Sequence, residues 1–491
     1  MDFKTFKDLA KNDTAIPVYR TLMADILTPV SLFLKMREGT RFPFLLESVE
    51  GGETLARYSF LGRNPYQVMT FNQDGVFLKK GEETPQKQDS GYFETLRELT
   101  TAYKEPEIPD LPRLTGGAVG FSAYDTVRQV EDLPDVPEDD LNLPEAIWAF
   151  YDEIFAFDHV KQRIIIIKTV FVEDDTNLEQ AYEEALQSLD EMESVIDRQV
   201  QLANGFSIKP DALHSNTARE DFEAMVEKAK NYIYEGDIFQ VVLSQRFQAP
   251  FEGDRFMLYR ALRMVNPSPY LFYLDFDSFA LIGSSPEVLV RAQDGQVELL
   301  PIAGTRPRGK TREEDEALEE DLKNDPKEIA EHVMLVDLGR NDLSRVSKAA
   351  TVRMKKNQVI ERYSHVMHIV SDVVGELQDD KVAVDALMQC FPAGTVSGAP
   401  KIRAMKIIDE LELNKRGPYA GAVGYFDFSG NMDTCIAIRT MVASDQKVYI
   451  QAGAGIVADS QPHKEYQETV NKAGALVEAL NVALKMTKNE S

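Results

Sequence analysis

The sequence predicts an α+β fold built on antiparallel sheets, and three observations predict it. The chain has 491 residues, well beyond the roughly 250–300 at which a single hydrophobic core stops growing, so two lobes or one large layered domain are expected. Short apolar runs separated by turn dipeptides mark hairpins near its start. Long helical patterns follow, but strands and helices do not alternate regularly, which disfavours a doubly wound parallel sheet.

Residues 41–80 read as short strands broken at Gly51-Gly52, Asn64-Pro65 and Asp74-Gly75. Residues 131–145 are acidic and proline-bearing and are expected to form an exposed loop. Strands return at Ile147 to Phe150 and from Ile164 to Val172. Between 175 and 203, Leu178, Ala181, Leu186, Leu189, Met192 and Val195 keep a helical period. The polar stretch 204–220, with Pro210, is the candidate lobe boundary. A helix follows, opened by Thr217 or Asp221, striped by Phe222, Met225, Val226, Ala229 and Ile233, and ended at Gly236. Val241 to Phe247 reads as a strand. Further strands are expected at 271–276, 288–292, 422–428, 434–442 and 447–452, and helices at 313–340, 400–412 and 462–485.

Charge narrows the function. Lys and Arg number 54 against 81 Asp and Glu, a net −27. Such a field repels nucleic acid and anionic lipid, so neither is expected as a partner. An anionic substrate would need a local cluster of cations or a metal. The opening residues are charged throughout, unlike a signal peptide. No apolar run approaches the ~20 residues of a membrane helix. Cys390 and Cys435 make neither a disulfide framework nor a zinc spacing, and a reduced, cytoplasmic setting is the simplest reading.

Several constellations can carry chemistry. Glu328-Ile-Ala-Glu331 and Glu465-Tyr-Gln-Glu468 each place two carboxylates on one helix face. Facing each other, they would make the hard oxygen site that Mg²⁺ wants; by spacing alone they are equally two solvated acidic faces. Lys472, four residues beyond Glu468, is a helix salt bridge or a substrate cation. Gly453 and Gly455 let backbone approach an anion closely, or make a tight turn. Pro301 to Gly309 is a basic loop in an acidic protein. Thr395 and Ser397 precede a helix, where hydroxyls serve an anion or cap the first turn. His368 stands beside apolar residues, structural or catalytic. Arg439 lies in a strand pattern, where an interior guanidinium needs an anionic partner. Glu287 ends a strand and can act as a general acid if burial raises its pKa.

In this order the motifs are specific. Ile282-Gly-Ser-Ser-Pro-Glu287, Pro301-Ile-Ala-Gly-Thr-Arg306, Glu331 to Asp342, Gly394 to Lys401 and Gln451 to Val457 resemble the chorismate-utilising enzymes over nearly all of 220–480. The resemblance implies large antiparallel sheets packed together with helices outside, in two intertwined lobes. Residues 1–205 would form a regulatory lobe and 206–491 a chorismate-binding catalytic lobe. Leu45-Leu-Glu-Ser48 looks like the tryptophan-binding segment of the anthranilate-forming branch.

Two positions separate the branches. Family members that add water carry a lysine base where Gln240 appears here, and an amide cannot deprotonate water. The aminodeoxychorismate branch often carries a nucleophilic lysine where this chain has Ala303. Both departures leave ammonia as the nucleophile and anthranilate as the product. An aminodeoxychorismate-forming enzyme, or an inactive tryptophan-sensing or scaffold subunit, are the alternatives. The resemblance makes Glu287 the general acid and His368 a catalytic or orienting group. It assigns Gly304, Thr305, Thr395, Tyr419, Arg439, Gly453, Ala454, Gly455 and Lys472 to chorismate. Glu331 and Glu468 would bind Mg²⁺, supported by Glu328 and Glu465. Leu46, Glu47, Ser48, Asn266, Pro269, Tyr270 and Leu271 would bind tryptophan as feedback inhibitor. Neither cysteine has the setting of an amidotransferase nucleophile, so a separate glutamine amidotransferase subunit is expected to supply ammonia.

Overall fold

The computed structural model of the chain describes residues 1–48, 57–200, 205–363, 366–444 and 446–489. Among these, the strands form two sheets, of 13 and 12 strands, and every pairing of named strands is antiparallel. Successive residues of central strands such as Gly117–Ser122, Ala146–Tyr151 and Phe279–Ser285 are all buried, so each sheet has two faces to cover. The inner faces cover each other: Phe44, Phe272 and Leu281 of the first sheet pack with Phe121, Ile147 and Val423 of the second. Helices cover the outer faces. Leu178–Ile196, Phe256–Val265 and Pro462–Asn489 lie on the first, and Tyr92–Thr100, Pro326–Ser344 and Ala383–Cys390 on the second. None of these helices is long and apolar enough to cross a membrane.

Both sheets draw strands from either side of residue 205. The first is joined where Phe44–Glu47 pairs with Tyr270–Asp275, Glu47 opposite Leu271. The second is joined where Gly117–Ser122 pairs with Ala422–Asp427. In four places successive strands pass directly from one sheet to the other: 62–67, 151–153, 285–288 and 436–440.

Several local expectations need correction. Asn64-Pro65 makes no hairpin, because it lies on one of these passages; Asp74-Gly75 does turn a hairpin between Gln67–Asn72 and Gly75–Lys80. Gly51-Gly52 lies outside the described residues. The helix at 313–340 is two, Arg312–Asn324 and Pro326–Ser344, since Pro326 lacks the N–H to continue the first and suits the first turn of the second. Asp325 caps that second helix, accepting from the N–H groups of Lys327 and Glu328. The helix Arg219–Tyr234 is preceded by Ala218, not capped by Thr217 or Asp221. The basic stretch after Pro301 is not a loop but the strand Ile302–Pro307, and the glycines at 453 and 455 lie inside Lys447–Ile456 rather than after it. The helix Lys401–Leu411 takes no side-chain cap from the preceding hydroxyls.

Candidate active site

Two of the passages between sheets lie side by side. Pro286-Glu287 joins Phe279–Ser285 to Val288–Gln293, and residues 437–439 join Met432–Ile436 to Thr440–Ser444. The expected strand at 434–442 is thus split, and Arg439 sits at the break. The Ile436 N–H donates to the Glu287 carbonyl at 3.0 Å, and the Ser284 N–H to the Arg439 carbonyl at 3.1 Å. Arg439 adopts φ 50°, a left-handed conformation that costs a side-chain-bearing residue on the order of 1–3 kcal/mol and persists only where its surroundings dictate it.

Beside this seam opens a cavity of about 870 Å³. Successive strand residues point to opposite faces, so Gln451, Gly453 and Gly455 share the cavity face, with Gln240 and Val242 on the neighbouring strand. The strand Ile302–Pro307 adds Gly304 and Thr305, and Val366–Glu376 adds His368. Pro326–Ser344 presents Glu328 and Glu331; Pro462–Asn489 presents Glu465, Glu468 and Lys472. Thr395, Tyr419, Glu287 and Arg439 complete the wall. The glycines let side chains approach: a Cβ at Gly453 would lie 2.7 Å from the Tyr419 hydroxyl, and one at Gly455 would displace the Gln240 amide nitrogen, 2.6 Å away. Ala454 faces the other way, into the apolar cluster of Val241 and Ile408.

The cavity separates its charges. Burial pushes the Glu287 carboxyl up to about 7, against the opposing pull of the Thr395 hydroxyl and the Lys472 charge. His368 is held below its ordinary value, first by burial and also by the Arg439 charge. Its Nδ1 lies 2.9 Å from the Gly304 carbonyl, an acceptor only, so the ring proton sits on Nδ1 and Nε2 is left as an acceptor. Burial also lowers the Arg439 pKa, and no charged group among the described residues offsets it. Lys472 pairs with Glu468 at 2.8 Å and donates to the Gly453 carbonyl at 3.0 Å.

The acidic rim suits a divalent cation. Glu328 is raised by burial and then by Glu331; Glu465 is raised by burial and by Glu468, although Ser460 opposes this. Four carboxylates on two helices thus line one cavity, with Lys327, Lys464 and Lys472 beside them. Among the described residues no three His, Cys, Asp or Glu side chains gather into a closed metal cage. Carboxylate oxygens on facing helices are ligands of the kind Mg²⁺ takes, one or two at a time beside water.

A second cleft, of about 1440 Å³, lies between the sheets and takes Leu46, Glu47, Ser48, Pro269, Tyr270 and Leu271. Asn266 lines the first cavity instead, and Pro269 lines both. The Glu47 carboxylate is held by the Tyr259 hydroxyl at 2.5 Å and by Arg263 at 3.0 Å. Gln451 and Lys327 line the first cavity without having been singled out. Nor was Arg416, which is buried, pairs with Glu412, donates to the Val396 and Val242 carbonyls at 2.7 Å, and sits 5.6 Å from the Tyr419 ring. Glu412 and Arg416 are four apart, a spacing that reads like any exposed helix pair.

Comparison with known proteins gives the family. The profile of the family described as chorismate binding enzyme matches residues 43–478. The chain belongs to the chorismate-binding enzymes. It is 50% identical to anthranilate synthase component 1 of Acetivibrio thermocellus over 484 residues, 97% of each chain. It is 46% identical to anthranilate synthase component 1 of Aquifex aeolicus, covering 98% of each. The crystal structure of anthranilate synthase component I from Streptococcus pneumoniae superposes with a TM-score of 0.78 at 38% identity, covering 93% of this chain and 99% of that one. The menaquinone-specific isochorismate synthase from Escherichia coli, at 21% identity and a TM-score of 0.70 over 97% and 98% of the two chains, shares the fold. The α+β class with two large antiparallel sheets is therefore that of other chorismate-binding enzymes.

Proposed function

We propose that this chorismate-binding enzyme aminates its substrate with ammonia and eliminates pyruvate, giving anthranilate, the first committed step toward tryptophan. One observation carries the reading: a single cavity joins a carboxyl raised to about 7, a guanidinium with no acidic partner among the described residues and a four-carboxylate rim, with an amide at the position where a lysine base would activate water. Near full-length similarity to proteins named anthranilate synthase component 1 supports it.

The ammonia nitrogen attacks ring carbon 2. The double bonds shift, and the 4-hydroxyl leaves as water with the proton of Glu287. Loss of the carbon 2 proton and of the enolpyruvyl group as pyruvate then leaves an aromatic ring. Arg439 pairs bidentately with the enolpyruvyl carboxylate, which supplies its missing counter-ion. His368 offers Nε2 on the same side. Glu331 and Glu468 would hold Mg²⁺, with Glu328 and Glu465 acting through water. When bound, the ion neutralises the ring carboxylate. The remaining contacts come from Gly304, Thr305, Thr395, Tyr419, Gly453, Gly455, Lys472 and the backbone of Ala454.

Ammonia comes from a separate glutamine amidotransferase subunit. Cys390 and Cys435 are both buried, with thiols pushed far above their ordinary range, which makes them poor nucleophiles. The word component in the relatives' names fits such a partner. The cleft between the sheets binds tryptophan, residues 1–205 forming the regulatory lobe and 206–491 the catalytic lobe. The test is direct. The purified chain, given chorismate, Mg²⁺ and ammonium at alkaline pH, yields anthranilate and pyruvate in equal amounts. A non-aromatic aminated product would place it in the aminodeoxychorismate branch, and no turnover would end the proposal.

A further inference from the structure

The segment 266–271 is a wall between the two cavities. Asn266, Ser268 and Pro269 line the first, and Pro269, Tyr270 and Leu271 line the second. Behind the wall stand Ser284 and Ser285, both fully buried. The Ser284 hydroxyl donates to the Asn266 carbonyl and accepts from Asn266 Nδ2 at 3.2 Å. The Ser268 hydroxyl donates to the Ser285 carbonyl at 2.8 Å. The same two serines hold the passage that carries Arg439. The Ser284 N–H donates to the Arg439 carbonyl at 3.1 Å, and the Ser285 hydroxyl to the Ile436 carbonyl at 2.7 Å.

Arg439 depends on this support more than its neighbours do. Its backbone is left-handed at φ 50°, and no acidic group among the described residues fixes its guanidinium. Its direction is therefore set by the backbone that Ser284 grips. A buried, packed contact of this kind moves between discrete arrangements rather than deforming smoothly.

We propose that Ser284 is a positioning residue for Arg439, and the point through which the state of the 266–271 wall reaches the first cavity. The inference rests on reading that cavity as the chorismate site and the cleft as the tryptophan site. A ligand that shifts the wall moves Asn266, the Ser284 hydroxyl follows its partner, and the Arg439 carbonyl follows the Ser284 N–H. Chorismate and tryptophan then oppose each other through one residue that touches neither.

Ser284→Ala removes the hydroxyl and keeps the N–H and the volume. Two readouts follow. The chorismate KM rises on the order of fivefold, because both Asn266 contacts that steady the Ser284 backbone against Arg439 are lost while its N–H is kept, with kcat changed by less than about twofold. Tryptophan affinity, measured by calorimetry with and without chorismate and with no ammonium present, is the second. In the unsubstituted chain chorismate weakens tryptophan binding several-fold, as linkage requires of coupled sites. In Ser284→Ala the two affinities converge. Ser284→Cys, with a weak donor of similar size, recovers part of the coupling, and it carries the comparison if the alanine variant does not fold. Equal coupling in the unsubstituted chain and both variants would overturn the relay while leaving the function intact. An unsubstituted chain that does not turn over chorismate would instead overturn the function.

Discussion

Glu287 shows what one residue's surroundings do. A carboxyl in a link between strands is ordinary; burial raises this one to about 7 against the pull of Thr395 and Lys472. The active form is the protonated one, so it is present below that pH and lost as pH rises through it. At fixed free ammonia, kcat should fall about tenfold per unit above pH 7, once the opposing rise in ammonia is removed. A flat profile up to pH 9 would exclude this acid. Glu287→Gln, which fills the same space without an acidic proton, should lower kcat by about 10²–10⁴-fold and abolish that limb. Residues of this kind were legible because their types sit in motifs: Glu287, Thr305, His368 and Lys472 all reach one cavity. Arg439 was legible as a residue in need of an anion but not as a break between strands, because Cys435 to Met441 keeps the look of one strand. Arg416 was missed because nothing local distinguishes a buried Glu412–Arg416 pair from a solvated one.

At the scale of elements, the two Glu-x-x-Glu helices gain meaning from what lies between them. Spacing puts each carboxylate pair on a helix face, and both pairs line the one cavity to which Gly304 of one sheet and Gly453 of the other contribute. Glu331→Gln and Glu468→Gln should each raise the Mg²⁺ concentration for half-maximal rate at least about tenfold, since each removes one hard oxygen ligand. Glu328→Gln and Glu465→Gln should raise it less, and the residual activity of all four should vanish in chelator. If Glu468→Gln kept its rate and Mg²⁺ dependence, the clamp would be misassigned. Element types were largely legible, because long helices such as Leu178–Ile196 announce themselves by period. Their ends were not: the 313–340 pattern runs on across Asp325-Pro326, where proline begins a helix as readily as it breaks one.

The interleaving of the sheets is a property of the whole molecule, and it was legible only through resemblance. Pairings such as Glu47 with Leu271 and Gly120 with Gly424 join residues hundreds apart, and no local period encodes them. They nevertheless decide where the proposed tryptophan cleft lies. Because Phe44–Glu47 lies beside Tyr270–Asp275, one cleft takes residues from both halves of the chain. Leu46, Glu47 and Ser48 all line that cleft, and the Glu47 carboxylate is held by Tyr259 and Arg263. A tryptophan bound there to the folded chain alone would stabilise it by about 2.7 kcal/mol at a hundredfold excess over Kd, read as a rise in Tm of a few degrees. Ser48→Ala should need about tenfold more tryptophan for the same rise and for half-inhibition, the worth of about 1.4 kcal/mol for one lost hydrogen bond. Turnover without tryptophan is the reference for both. If inhibition and the thermal shift keep their tryptophan dependence, Ser48 does not touch the inhibitor. If they move together, the cleft joins the two halves of the chain through the ligand as well as through the sheet.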